Sequence, residues 1–136
     1  MRIMGLDVGV KRIGIAISDP MGWTAQGHSV LQRKNAGYDF GVLLDICQQY
    51  EVEKIVVGYP LNMNGTEGPK AQEIKEFAKL LKEKSQLPVE LWDERLSTRS
   101  AERTLLEADV SRQKRKQVID KLAAVNILQG YLNSLN

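Results

Sequence analysis

Three short segments, far apart in the chain, each carry a carboxylate in an apolar setting. Asp7 lies within Met4-Gly-Leu-Asp-Val-Gly9, Asp93 and Glu94 precede Arg95, and Asp120 stands just before Lys-Leu-Ala-Ala124. An acid inside such an apolar run is costly to bury alone, so Asp7 needs a partner, water or a metal. Gly5 and Gly9 on either side leave room for another backbone or a phosphate to come close. The plainer alternative is an aspartate that bonds the amides of a hairpin turn. Three carboxylates drawn within a few ångströms repel, and some then hold protons at neutral pH. A hard divalent cation relieves that repulsion. Carboxylate oxygens suit Mg²⁺ or Mn²⁺, and one cysteine (Cys47) and one histidine (His28) supply no zinc set. Two such ions ~3.5–4 Å apart can activate a water and stabilise the leaving oxygen of a phosphodiester. A lone histidine poorly supplies a His-based triad, and His28 reads as structural. The expected catalytic and metal-binding set is therefore Asp7, Glu94 and Asp120. Adjacent strand residues point to opposite faces, so one of Asp93 and Glu94 enters the site. The longer stem favours Glu94, which leaves Asp93 as a supporting partner or a helix cap.

These acids need elements to bring them together. Residues 2–8 read as a short apolar strand and Val8-Gly9-Val10-Lys11 as a turn. From Arg12 to Asp19 the chain alternates, with Ile13, Ile15 and Ile17 on one face and Gly14, Ala16 and Ser18 on the other. So short a connection makes an antiparallel hairpin. Pro20-Met-Gly22 ends that strand, and residues 24–31 make a third. The period turns helical from Tyr38 to Tyr50. Lys54-Ile-Val-Val-Gly58 then suits a buried parallel strand. Residues 59–68 are a loop. Pro69 suits the first position of a helix whose core face is Ile74, Phe77, Ala78 and Leu81. Pro88 to Trp92 is a fifth strand, and Ser97 or Thr98 caps a helix to about Ala108. Residues 109–115 look like a polar loop, with a last helix from about Lys116. On it, Ala123 and Ala124 let the helix approach the sheet and push Asp120 toward Asp7. The plainer alternative is a surface acid paired with Lys116 or Lys121.

The order β-β-β-α-β-α-β-α-α predicts an α/β domain over residues 1–136. Three antiparallel strands precede two reached through crossovers, in a mixed sheet with helices on both faces. The length fits one domain, which needs no disulfide; the single cysteine forms no internal bridge and is expected in the core, as suits a reducing cytoplasm. No signal peptide and no run of ~20 apolar residues is visible, so no membrane span is expected.

Charge is unevenly spread. From Arg95 to Lys121 eight basic residues face four acidic ones, a local +4 in a chain of net +2. A basic band beside an acidic site is what a polyanion and a metal need together. Lys11 and Arg12 could hold a phosphate at the edge of the first acid. Arg95, Arg99 and Arg103 recur at helical spacing, and with Arg112, Lys114 and Arg115 they would hold a nucleic-acid backbone without reading bases. Trp23, Tyr59 and Trp92 could stack on bases, although core packing is the expected role for most of them.

The segments GLDVGVKRIGIAISD, GYPLNMNG, DERLST and DKLAAVNILQ, in that order, closely resemble the YqgF/RuvX family of RNase H-like nucleases. The similarity runs essentially from end to end. It implies a five-stranded mixed sheet of order 3-2-1-4-5. It also implies a metal-dependent nuclease that matures the 5′ end of precursor 16S rRNA, hence ribosome biogenesis in the cytoplasm, with its acidic positions on Asp7, Glu94 and Asp120. The family is also similar to RuvC-type Holliday-junction resolvases. Those carry an acid at the end of the fourth strand, where this chain has Gly58-Tyr59-Pro60, and two acids on the last helix, where it has Asp120 alone. Branched DNA cleavage is thus an alternative, which calls for a homodimer where rRNA processing allows a monomer. A third reading is a non-catalytic module binding nucleic acid or a transcription complex. The opening segment also resembles the phosphate loop of sugar kinases and actin-like ATPases, a fold that needs two such domains.

Overall fold

A computed structural model describes residues 2–62, 64–94 and 112–135, with side chains for all of these except 112–117. The strands are β1 (Arg2–Val8), β2 (Arg12–Ser18), β3 (Ala25–Gln32), β4 (Val52–Tyr59) and β5 (Val89–Asp93). They form one sheet in the order β3-β2-β1-β4-β5. β1 pairs antiparallel with β2, and β2 with β3, while β1, β4 and β5 run parallel. The expected topology is therefore found.

Alternation along the strands separates two faces. Met4, Leu6, Val8, Ile13, Ile15, Ile17, Ile55 and Val57 form the larger core with helices α1 (Ala36–Gln49) and α2 (Pro69–Ser85). Ile3, Ala16 and Val56 meet helix α3 (Arg112–Ser134) on the other face. α3 buries Ala124, Ile127, Leu128, Tyr131 and Leu132, a stripe at helical spacing. Cys47 is buried, and burial pushes its thiol up to about 11, so it is an inert core residue.

The element ends follow local chemistry. The Asn35 side chain accepts from the Tyr38 amide at 2.9 Å and starts α1 two residues before the expected Tyr38. Pro69 opens α2 as expected, and Gln86 ends it in the left-handed region at φ 61°. The start of α3 corrects the sequence reading. Residues 112–115, expected in a polar loop, are helical. Their charge suggested a loop, but Arg112-Gln-Lys-Arg-Lys-Gln117 contains only good helix formers and no glycine or proline to stop them. The expected helix to Ala108, with Arg95, Arg99 and Arg103, lies outside the described residues. Among the described residues no helix is long and apolar enough to cross a membrane.

Candidate active site

Asp7 is the penultimate residue of β1 and shares a face with Ile3 and Gly5, so it points toward α3. Its partner across the hairpin is Gly14. A Cβ on Gly14 would collide with the backbone carbonyl of Asp120. One on Gly5 would lie 2.6 Å from Leu128 Cβ and 3.2 Å from the Ala124 carbonyl oxygen. The backbone of α3 therefore rests directly on β1 and β2, and this sets Asp120 above the start of β2. Ala124, fully buried, supplies half of that contact, as expected. The sheet's own glycines supply the other half, and sequence reasoning gave Gly14 no role. The available signal was glycine on one face of a strand whose other face is all isoleucine.

Glu94 follows β5 directly. Alternation puts it with Glu90, which pairs with Lys54 at 2.7 Å, and with Trp92, which packs edge-on against Tyr131. A Cβ on Gly58 would lie 2.5 Å from Glu94 Oε1. Glu94 thus lies across β4 at the point where Gly58 leaves space, and it reaches Asp7.

These two carboxyl groups are joined by a hydrogen bond. Burial is the main force raising Asp7, the Asp120 charge adds to it, and a hydrogen bond from Glu94 acts against it. Burial, and then the Asp7 charge, push Glu94 up to about 7. That hydrogen bond favours ionised Asp7 and protonated Glu94, so Glu94 is the donor. Two acids so placed form the electron-rich oxygen pair that a hard cation would take in place of their proton.

Asp120 stands apart. Its Oδ2 accepts from Arg12 Nε at 2.5 Å, in a pair that is about one quarter exposed. The alternative pairing with Lys116 lies outside the described side chains. Its charge still acts on Asp7. Among the described residues no three of His, Cys, Asp and Glu form a ready metal-binding group. The fold thus joins Asp7 to Glu94 and holds the third acid nearby on a guanidinium.

Lys11 is exposed on the β1–β2 turn, whereas Arg12 is engaged by Asp120. Arg112, Lys114 and Arg115 lie along the first turn of α3, and Arg95 and Arg99 lie outside the described residues. Sequence reasoning missed Lys70, on the first turn of α2, whose charge lowers both Asp7 and Glu94. The signal was its place just after Gly68-Pro69, where α2 begins beyond the carboxyl end of β4. Of the three aromatic candidates Trp92 packs in the core, whereas Trp23 is 62% exposed. His28 packs edge-on against Tyr50 and shares a hydrogen bond with Ser29 Oγ.

Residues 1–134 match the family model described as "RuvX: Holliday junction resolvase". A protein of Syntrophomonas wolfei is 67% identical over 133 residues, covering 98% of this chain and 94% of that protein. One of Bacillus licheniformis is 59% identical over 138 residues, covering 100% and 99%. Both bear the name "Putative pre-16S rRNA nuclease". Among solved structures, Thermus thermophilus RuvC in complex with a Holliday junction substrate superposes with a TM-score of 0.59 at 13% identity, over 99% of this chain and 96% of that one. The fowlpox virus Holliday junction resolvase does so with a TM-score of 0.56 at 17% identity, over 98% and 99%. At such identities the likeness speaks for the fold.

Proposed function

The chain belongs to the RuvX family, and from that premise we propose that residues 1–136 form one nuclease domain that hydrolyses phosphodiester bonds in the 5′ extension of precursor 16S rRNA. The observation that carries this reading is the hydrogen-bonded pair of Asp7 and Glu94 at the carboxyl ends of parallel strands, with Asp120 beside it. Ligands of such sheets gather at that edge.

The donor set is all carboxylate oxygen, which fits Mg²⁺ or Mn²⁺. Asp7 and Glu94 would hold the ion, and Asp120 would join them on release from Arg12. Such an ion supplies Lewis acidity for in-line attack of water on a phosphorus centre. Glu94 must give up its proton for this, and Lys70 favours that ionisation. Arg12, once free of Asp120, and Lys11 stand where they can hold phosphate oxygens. Arg95, Arg99, Arg112, Lys114 and Arg115 extend the same basic band along the substrate. A precursor rRNA substrate places the protein in the cytoplasm.

Branched DNA cleavage has its own support in the family description and in the fold of RuvC. Gly58 weighs against it, since the β4 position that carries an acid in those resolvases is here the space Glu94 crosses. The test is incubation of purified protein with labelled precursor rRNA and, separately, a four-way junction, with Mn²⁺, Mg²⁺ or chelator. Metal-dependent rRNA cleavage that Asp7→Asn abolishes supports the reading. Cutting confined to the junction would replace it with the resolvase reading, and cleavage retained by pure Asp7→Asn would remove the carboxylate mechanism.

A further inference from the structure

Beside the carboxylate pair, across the β1–β2 turn, a cleft of about 750 Å³ opens between that turn, the chain leaving β3 and the starts of α1 and α2. Small-ligand sites fall in the range of roughly 300–1,000 Å³. Val8, Ile74 and Phe77 lie beneath it, all three nearly buried, and the Arg33 guanidinium covers the Phe77 ring at 5.7 Å. Its rim is charged, and the charges divide into two groups. Arg33 and Asp39 are committed to each other at 3.2 Å. Arg33 also donates to the Gly9 carbonyl at 2.7 Å, and Asp39 accepts from the Lys34 amide at 3.0 Å. This pair fastens the β1–β2 turn to the start of α1.

What remains is three exposed lysines, Lys11, Lys34 and Lys70, against the single acid Glu73. Lys34 rests over the Tyr38 ring at 4.5 Å, which steadies its ammonium and leaves it open to solvent. The first residues of α1 and α2 line the same space and add partial positive charge. Lys70 links the two regions, because it lines the cleft while its charge acts on Asp7 and Glu94.

A positive rim, a planar guanidinium over the floor, single-nucleotide size and a shared edge with the carboxylates have one common chemistry. Resting on the nuclease reading above, we propose that this cleft receives the nucleotide adjoining the scissile phosphate, in a single-stranded segment. Its phosphate lies on Lys34 and Lys70, and its base lies on the Arg33 guanidinium that covers the Phe77 ring. The strand then crosses the rim of the sheet at the β1–β2 turn, passing from the α3 face to the α1/α2 face. A paired base would have to leave its stack to enter, so duplex ends are disfavoured.

The test is fluorescence anisotropy with a short single-stranded RNA and with the same RNA as a blunt duplex, in chelator, so that no metal is needed. Lys34→Glu should weaken single-strand binding about tenfold at low salt and lower the salt slope by ~0.7. Lys34→Glu/Lys70→Glu should weaken it further, and Lys34→Gln should fall between Lys34→Glu and wild type. Duplex binding, and single-strand binding by Lys82→Glu at the far end of α2, should match wild type. In cleavage assays Lys34→Glu should raise KM and leave kcat. A nucleoside monophosphate should compete at lower concentration than inorganic phosphate. Wild-type affinity and salt slope in folded Lys34→Glu, an equal loss for duplex, or an equal loss in Lys82→Glu would overturn the proposal. Equal competition by phosphate would overturn the nucleotide assignment. The two readings fail separately. A wrong cleft leaves cleavage that is sensitive to Asp7→Asn, whereas a wrong nuclease reading leaves lysine-dependent binding without cleavage.

Discussion

Toward α1 and α2 the central strands present Met4, Leu6, Val8, Ile13, Ile15 and Ile17; toward α3, β1 and β2 present Gly5, Asp7, Gly14 and Ala16. The first set keeps two helices at side-chain distance and buries large residues, each contributing ~1.5–3 kcal/mol. The second lets one helix lie against the sheet backbone. That face gives up hydrophobic burial and gains closeness, which allows an acid on a helix to stand beside an acid on a strand. The larger core and the carboxylate pair thus lie on opposite sides of one sheet.

The strongest way to test the division is at the chemical face. Asp7→Asn should leave the fold intact and lower metal-dependent cleavage on the order of 10³-fold, the several kcal/mol a metal supplies; circular dichroism and a cleavage time course check both halves. Next come two substitutions at neighbouring positions of β2. Ile15→Ala opens a cavity in the large core and should cost about 2–5 kcal/mol in denaturant unfolding, with Mn²⁺ affinity of the folded protein unchanged. Gly14→Ala drives a methyl into the Asp120 carbonyl and should cost about 1–3 kcal/mol, with loss of Mn²⁺ affinity as well. If both variants changed affinity equally, the two faces would not be separable.

A smaller effect is expected from pH. Glu94 titrates at about 7 in the folded chain against an ordinary value of 4.5. Between those values the folded state holds a proton that the unfolded chain has lost. Metal-free stability should therefore fall as pH rises through that window, and metal affinity should rise. Thermal melts with chelator and with Mn²⁺ should show opposite trends from pH 5 to 8; parallel trends would deny the proton on Glu94. The smallest effect belongs to Arg12→Gln. The pair is partly exposed and contributes about 0–1 kcal/mol to stability. Freeing Asp120 should tighten Mn²⁺ binding several-fold by calorimetry, and weaker binding would mean that Arg12 supports the metal-bound form.

Periodicity was enough for the strands, because strict alternation in β2 and the short apolar run of β4 leave little choice of element, whereas the strand order was what the family resemblance implied. Periodicity failed where composition and propensity disagree, at residues 112–115. Trp23 is the one of the three aromatic candidates that does not pack against a core. It sits in a loop that Asp19 organises by accepting from the Met21, Trp23 and Thr24 amides at 2.7–3.2 Å, and that loop turns the indole outward.

From the order of residues alone came the mixed sheet and the choice of Glu94 over Asp93 as the one aimed at Asp7, since alternation and reach are local properties of a strand. Only the tertiary structure decided who pairs with whom. That Glu94 crosses Gly58 to donate a hydrogen bond to Asp7, that Asp120 rests on Arg12, and that Lys70 reaches both acids from another helix depend on distances between segments remote in the chain. Coulomb energies and desolvation vary steeply with such distances, and no pattern within a single segment encodes them.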